Sequence, residues 1–337
     1  MDIILIGFGG VGKGLAQILR DKESELWLDQ AFRARIVGVA TRSHGTLYHP
    51  DGLDLDNLLD GTYFDHPEIP FPGLARDWDA LRLVRESKAD VIVEVSPTNL
   101  QTGQPALDLC RAAFESGKHV VLANKGPVAV AYDELQSLAQ AKGKLLRFEA
   151  TVMAGTPSIR LGMQALAGCT IERVRGIFNG TTNYMLTQME GGLSYAEALA
   201  EAQALGYAEA DPTADVDGWD AAGKGIILAA AIFGQKLTLN QMDVSGIREI
   251  TQAEIAAAQA ANERIKLIVE VTAVGGKVSP TRLPISHPLA SVSGSTNAIT
   301  YVTDLLGDVT LIGKGAGGVQ TGFGLLSDLI EVAQCLR

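Results

Sequence analysis

Residues 3–19 read IILIGFGGVGKGLAQIL, so a β-branched run, a glycine cluster and a helical pattern follow one another directly. Gly7, Gly9 and Gly12 form G-x-G-x-x-G at the junction of the first strand and the first helix. The three glycines serve different ends. One allows a tight turn, one lets backbone N–H groups approach a pyrophosphate, and one lets helix and strand pack closely. The helix N-terminus adds its unpaired N–H groups and the positive end of its dipole. A lone glycine motif is weak, but its place at a strand–helix junction strengthens it. The expectation is an α/β chain opening with a Rossmann-type dinucleotide-binding domain, with Gly7, Phe8, Gly9, Gly10, Val11 and Gly12 contacting the cofactor. The same letters satisfy G-x-x-x-x-G-K, yet Gly14 stands where a phosphate-binding P-loop needs Ser or Thr to hold magnesium. The nucleotidase reading fails there.

Further along, 34–40 reads as a second strand ending in Thr41-Arg42-Ser43. The acid that usually accepts from the adenosine ribose is absent. Arg42 and Ser43 suit a 2′-phosphate instead, since a guanidinium fork matches phosphate, and this favours NADP with NAD as the alternative. An exposed loop arginine is the competing explanation. Residues 44–77 are rich in Pro, Gly, Asp and His without a sustained period, and read as a long surface insertion. Its histidines, His44, His49 and His66, lack metal-site spacing. Residues 81–86 look helical. The run VIVEV at 91–95 reads as a buried strand that ends at Ser96, on the carboxyl edge where α/β sheets bind ligands. A helix over 105–116 and a strand over 119–122 follow, with His119 inside the sheet, and that strand delivers Lys125 to the same edge. A helix over 132–142 and a strand over 145–149 complete the first domain.

Beyond residue 150 the pattern becomes α+β. A turn at 154–157, a strand within 169–178 and a turn with a Thr N-cap leading into a helix through Met189 are expected. Ser194 and Glu197 form a capping box opening a helix over 194–205. A helix over 252–264, a hairpin around Gly275-Gly276 and strands at 299–302 and 309–312 point to a mostly antiparallel sheet. The chain closes with the glycine-rich run 313–318, including Gly317, and a helix over 322–335. Such backbone implies close approach to a ligand or to another segment. The domains expected are 1–148, completed by the C-terminal helix 315–337, and 149–314.

Between the helices of the second domain, residues 202–224 hold Glu209, Asp211, Asp215, Asp217, Asp220 and Lys224 with little apolar filler. Pro212 and Gly218 interrupt the stretch, so 206–217 is expected to be a loop. Asp220 and Lys224 then lie one turn apart on one helix face. An acidic loop feeding a lysine on an apolar helix suits an ammonium-bearing ligand; a solvated loop capping a core helix fits the same letters.

With 337 residues and 47% hydrophobic content, the chain is long and apolar enough for two domains with separate cores. A net charge of −11 argues against nucleic acid or an anionic membrane as partner. Cys110, Cys169 and Cys335 are few and widely spaced, which fits a reducing cytoplasm rather than a disulfide framework. No basic leader precedes the strand at Ile3, so no signal peptide is expected. The longest apolar run, 226–233, is too short to span a bilayer.

Taken together, GFGGVG, ANKGP at 123–127, EATVMAGTP at 149–157, GIFNGTTNYML at 176–186, the acidic stretch and GKGAGG at 313–318 resemble homoserine dehydrogenase, in the family's order and over nearly the whole chain. The resemblance implies a second α+β domain for catalysis and dimerisation. It implies interconversion of L-homoserine and L-aspartate 4-semialdehyde with a nicotinamide cofactor, on the route to threonine, methionine and isoleucine. It assigns proton transfer to Lys224, places Lys125 beside the reacting oxygen, and lines the substrate site with Glu209, Asp215, Asp220, Gly180, Thr181 and Tyr207. It also implies a monovalent cation, Na⁺ or K⁺, on carbonyls of Glu149, Val152, Ala154 and Thr156, and a homodimer joined through the 265–302 region. Many relatives carry a C-terminal regulatory ACT domain that does not appear in this sequence, which puts threonine feedback in doubt.

Hydride transfer to a carbonyl leaves negative charge on oxygen, which a lysine ammonium neutralises by donating a proton. Lys125 and Lys224, from different domains, are expected to share that work. Glu209 and Asp215 suit the substrate ammonium, and backbone N–H groups of Gly180 and Thr181 suit its carboxylate. No cysteine sits in a turn near the glycine loop, which disfavours an acylating semialdehyde dehydrogenase. Two alternatives stand: a related oxidoreductase acting on another amino-acid aldehyde, and a nucleotide-sensing protein without turnover. The intact trio Lys125, Asp220 and Lys224 weighs against the sensor.

Overall fold

In a computed structural model the structure describes residues 1–336. Contacts divide the chain into Met1–Gly155 with the segment from Gly317 onward, and Thr156–Ala316. The strap 149–155 thus falls in the first unit rather than the second. The reason is local: Glu149 N donates to the buried Asp328 carboxylate at 2.9 Å, and Ala150 packs in the same core as Leu325 and Leu329. Gly315 goes the other way, because its backbone lies against Asn297 within the second unit.

The first unit is built on β1 (Asp2–Ile6), β2 (Arg35–Ala40), β3 (Thr46–Tyr48), β4 (Val91–Glu94), β5 (His119–Leu122) and β6 (Leu146–Arg147), in the order β3-β2-β1-β4-β5-β6. All pairs are parallel except β2–β3. β4 and β5 are buried at every position, as strands covered on both faces must be. His119 is buried inside β5, where its Nδ1 accepts from Leu145 N. The strand order reverses between β1 and β4, which is the switch point where such sheets bind ligands.

Residues 44–77 are not a surface insertion. Besides β3 they contain short helices at Leu55–Leu59 and Thr62–Asp65, and Leu47, Leu53, Leu58 and Tyr63 are buried in the main core. Each element is too short to impose a period, so burial left no regular trace in the sequence. Two helices also start earlier than expected. Lys125–Ala141 begins at Lys125, because Asn124 caps it and Pro127 falls in the first turn, where its missing N–H costs nothing. A non-helical Ala131 at φ −141° breaks the pattern and hides that first turn. The C-terminal helix runs Gly318–Cys335, and its first turn lies against the Gly10–Asp21 helix so closely that a Cβ at Gly318 would stand 2.5 Å from Gly10 O. The glycine-rich end thus approaches another segment.

The second unit holds β7 (Ile171–Ile177), β8 (Asp243–Val244), β9 (Glu263–Thr272), β10 (Gly275–Pro284), β11 (Thr296–Thr303) and β12 (Gly307–Lys314), in the order β12-β11-β7-β9-β10-β8. Pairing is antiparallel apart from β10–β8. The β9–β10 hairpin pairs Thr272 with Gly275, so Ala273 and Val274 make the turn and the glycines belong to β10. The helix before β9 ends at Ala260, because Asn262 turns left-handed at φ 57° and releases the chain into the strand. Helices Gly180–Glu190 and Trp219–Phe233 pack on this sheet. Asn179, rather than a threonine, caps the first of them by accepting from Thr182 N. The Ser194–Glu197 capping box is present as expected.

Candidate active site

In the first unit the glycine loop follows β1 directly. Gly7 sits at φ +102°, and a Cβ there would come within 2.9 Å of Ser96 N and Val95 O, so only glycine fits both the turn and the neighbouring strand. Gly9 and Gly10 have open space where side chains would stand, which leaves their backbone accessible to a phosphate. Phe8 and Val11 are half-buried around them, and Gly12 lies packed beneath Gly7 O and the Phe8 ring. The Gly10–Asp21 helix starts here with no acidic residue in its first turn, so its dipole is available to an anion. Arg42 is exposed in a tight turn closed by Thr41 and Gly45, past the end of β2. Gly317, at φ +122°, opens the C-terminal helix whose next residue touches Gly10.

Strands β4 and β5 end at the same carboxyl edge. Ser96 donates from both its backbone N (2.8 Å) and its hydroxyl to the Glu94 carboxylate. Asn124 donates to Ser96 Oγ at 3.2 Å and accepts from Gly126 N at 2.9 Å, so it both caps the helix and holds its start against β4. Lys125 is the first residue of that helix, and its backbone N donates to Thr98 Oγ1 at 3.4 Å. Glu94 is fully buried, and burial pushes its carboxyl above the ordinary glutamate value. Read from the sequence, VIVEV is a plain buried strand, and neither Glu94 nor Asn124 stands out. The available signal is an acid inside an otherwise apolar run, because a buried carboxylate has to find donors.

In the second unit, Lys224 is buried and its ammonium donates to Phe178 O at 2.6 Å and to Asp220 Oδ2 at 2.8 Å. Asn179 Nδ2 donates to Asp215 Oδ1 at 2.6 Å and to Asp220 Oδ2 at 3.1 Å. One amide therefore ties the acidic stretch to the start of the Gly180–Glu190 helix, a role that the sequence does not reveal. Burial is the main reason the Asp215 carboxyl lies above its usual value; the Asp220 charge adds to it, while the Asn179 bond and Lys224 oppose.

The stretch 206–217 is a loop containing one short helix, Thr213–Val216. Its acids divide by partner. Asp217 pairs with Arg248 at 2.8 Å, and Asp211 accepts from Thr213 N. Glu209 is exposed, and Tyr207 lies beside Tyr184 with ring centroids 4.9 Å apart. The Thr181 hydroxyl donates to Tyr207 O at 2.6 Å, and a Cβ at Gly180 would stand 2.8 Å from Ser295 O. Asp215, Asp220, Lys224, Gly180, Thr181 and Tyr207 are thus joined through shared bonds and chain neighbours within the second unit.

The strap of the first unit places Glu149, Val152 and Ala154 in buried positions. Ala154 holds φ 52°, a left-handed conformation that costs a residue with a Cβ about 1–2 kcal/mol. Thr156 opens the second unit, and its hydroxyl donates to Lys314 O at 3.0 Å. Among the described residues no cluster of His, Cys, Asp and Glu is arranged to hold a metal ion, and His44, His49 and His66 form none. Among them, too, no helix is long and apolar enough to cross a membrane.

Comparison with known proteins decides what this chemistry belongs to. The family profile described as homoserine dehydrogenase matches residues 157–330, and the one for the homoserine dehydrogenase NAD-binding domain matches 7–149. The chain belongs to the homoserine dehydrogenase family. It is 43% identical to the NAD(+)-dependent homoserine dehydrogenase of Pseudomonas canavaninivorans, over 98% of this chain and 96% of that one. It is 41% identical to the homoserine dehydrogenase of Methanocaldococcus jannaschii, over 98% of each. A hyperthermophilic archaeal homoserine dehydrogenase solved in complex with NADPH aligns with a TM-score of 0.84 at 31% identity, over 100% of this chain and 98% of that one. As a member of this family the protein is an NAD(P)-dependent oxidoreductase acting on a small molecule.

Proposed function

We propose that Lys224 is the proton donor and acceptor for interconversion of L-homoserine and L-aspartate 4-semialdehyde, in the supply of threonine, methionine and isoleucine. The observation that carries this is the placement of Lys224: buried, held by Asp220 and Phe178 O, behind the acidic loop. An ammonium has three donors, and these bonds use two, leaving a third for the reacting oxygen. The nicotinamide supplies or takes the hydride. As the aldehyde is reduced, Lys224 gives a proton to the developing alkoxide, and in the reverse direction the neutral amine removes it. Lys125 assists at the same oxygen. Asp220 holds the Lys224 ammonium in place.

Glu209 and Asp215 receive the substrate ammonium. Its carboxylate goes to the backbone N–H groups of Gly180 and Thr181, since the cap takes that of Thr182. Tyr207 closes that side, oriented by its bond from Thr181. The dinucleotide lies on Gly7, Phe8, Gly9, Gly10, Val11 and Gly12, with Ser96, Lys125 and Gly317 around it. Arg42 meets the 2′-phosphate, so NADP is the preferred form. The relative described as NAD(+)-dependent supports the alternative, and relative turnover with the two cofactors decides. A monovalent cation would sit on carbonyls of Glu149, Val152, Ala154 and Thr156; the left-handed turn at Ala154 supports this, and turnover against Na⁺ and K⁺ concentration tests it. The active form is a cytoplasmic homodimer joined through the second unit's sheet, checked by sedimentation velocity.

The decisive assay mixes purified protein, reduced cofactor and aldehyde. Oxidation of the cofactor on addition of L-aspartate 4-semialdehyde, and not of other aldehydes, is expected. No oxidation with that substrate overturns the proposal.

A further inference from the structure

Glu94 lies inside the first unit with 0% of its surface exposed, on a strand whose other residues are apolar. A carboxyl in such a place is costly unless donors meet it. Its Oε1 collects three: Ser96 N, Ser96 Oγ and, at 3.4 Å, Asn124 Nδ2. Asn124 also donates to Pro97 O at 3.4 Å. Its Oδ1 caps the helix that begins with Lys125. The end of β4 and the end of β5 are therefore joined through one buried acid and one buried amide, and Lys125 is the next residue after the junction. The other oxygen, Oε2, meets no hydrogen-bond partner among the described residues. A core position needs no such acid, because replacing both partners of a buried hydrogen bond with apolar groups of the same shape can be nearly neutral or stabilising.

We infer that Glu94 is a positioning residue for catalysis: with Asn124 it fixes the first turn of the Lys125 helix so that the Lys125 side chain is held for the reacting oxygen. The inference rests on the role proposed for Lys125. It assigns no contact between Glu94 and substrate or cofactor. The effect of losing Glu94 is transmitted through Lys125, and that distinguishes it from a general loss of stability.

A double-mutant cycle on the full-length enzyme tests this, with kcat for aspartate semialdehyde reduction and cofactor Kd both measured. Glu94→Leu is a little larger and removes the acceptor. It is expected to lower kcat by about 10- to 100-fold in the wild-type background, at or below the lower end of what a general acid–base group contributes, roughly 10²- to 10⁴-fold, with a smaller change in cofactor Kd. In a Lys125→Ala background the same substitution is expected to lower kcat by less than about threefold. Equal losses in both backgrounds overturn the inference while leaving Lys125 in the mechanism. Normal turnover of Lys125→Ala alone overturns both. If Glu94→Leu does not fold, Asn124→Ser runs the same cycle, because serine retains the cap but loses the amide donor to Glu94 and Pro97; additive losses there also overturn the inference.

Discussion

Lys224 donates to the Asp220 carboxylate one helical turn before it, at 2.8 Å, and both groups are largely shielded from water. Removing Lys224 should abolish proton transfer without disturbing the cofactor, since the glycine loop lies in the other unit. Lys224→Ala is expected to lose turnover by about two to four orders of magnitude, with cofactor Kd unchanged. Steady-state kinetics beside a cofactor titration check this. Turnover near that of the wild type removes Lys224 from the chemistry.

If Asp215 meets the substrate ammonium as proposed, it should set the acid side of the pH profile. Its carboxyl lies above the usual range chiefly through burial, so it loses its charge at a higher pH than an ordinary aspartate would. Below that raised value the proposed ammonium site keeps only Glu209 as counter-charge. The acid limb of kcat/KM is therefore expected above the ordinary aspartate value of about 3.9. Asp215→Asn should abolish that limb and raise KM for the amino-acid substrate. A limb that persists unchanged in the variant assigns it to another group.

Arg42 should matter for one cofactor more than the other. It is exposed at the tip of the turn after β2, where no acid is present to accept from a ribose hydroxyl. Arg42→Ala is expected to weaken NADPH about tenfold or more, the loss of one charge-assisted pair of about 1.5–3 kcal/mol, with little effect on NADH. Equal weakening of both in a fluorescence titration rejects the phosphate role.

How much of the molecule is legible in its sequence depends on whether an element carries its own period or cap. β1 with its glycine loop, β5 with His119, the Ser194 capping box and the Trp219–Phe233 helix are legible because each signal is local. The acidic stretch is legible as a candidate site, but not its internal division: nothing local tells that Asp217 turns to Arg248 while Asp215 and Asp220 share Asn179. Those bonds join residues 31 to 41 positions apart. Leu47, Leu58 and Tyr63 read as surface for a similar reason, since their burial is set by the sheet and helices beneath them.

Glu94 also leaves a trace in stability. Burial raises its folded-state value above that of the unfolded chain, so the folded state binds the extra proton between the two. Stability therefore falls as pH rises from the ordinary glutamate value, about 4.3, through the raised folded one, because ionising the buried acid costs free energy that ionising it in the unfolded chain does not. Glu94→Gln cannot ionise and escapes that loss. The Tm difference between Glu94→Gln and the wild type should move in favour of the variant as pH increases across that window, then level off. Calorimetry of both proteins at matched ionic strength measures it, and a difference that is flat with pH means that Glu94 keeps the same protonation in both states.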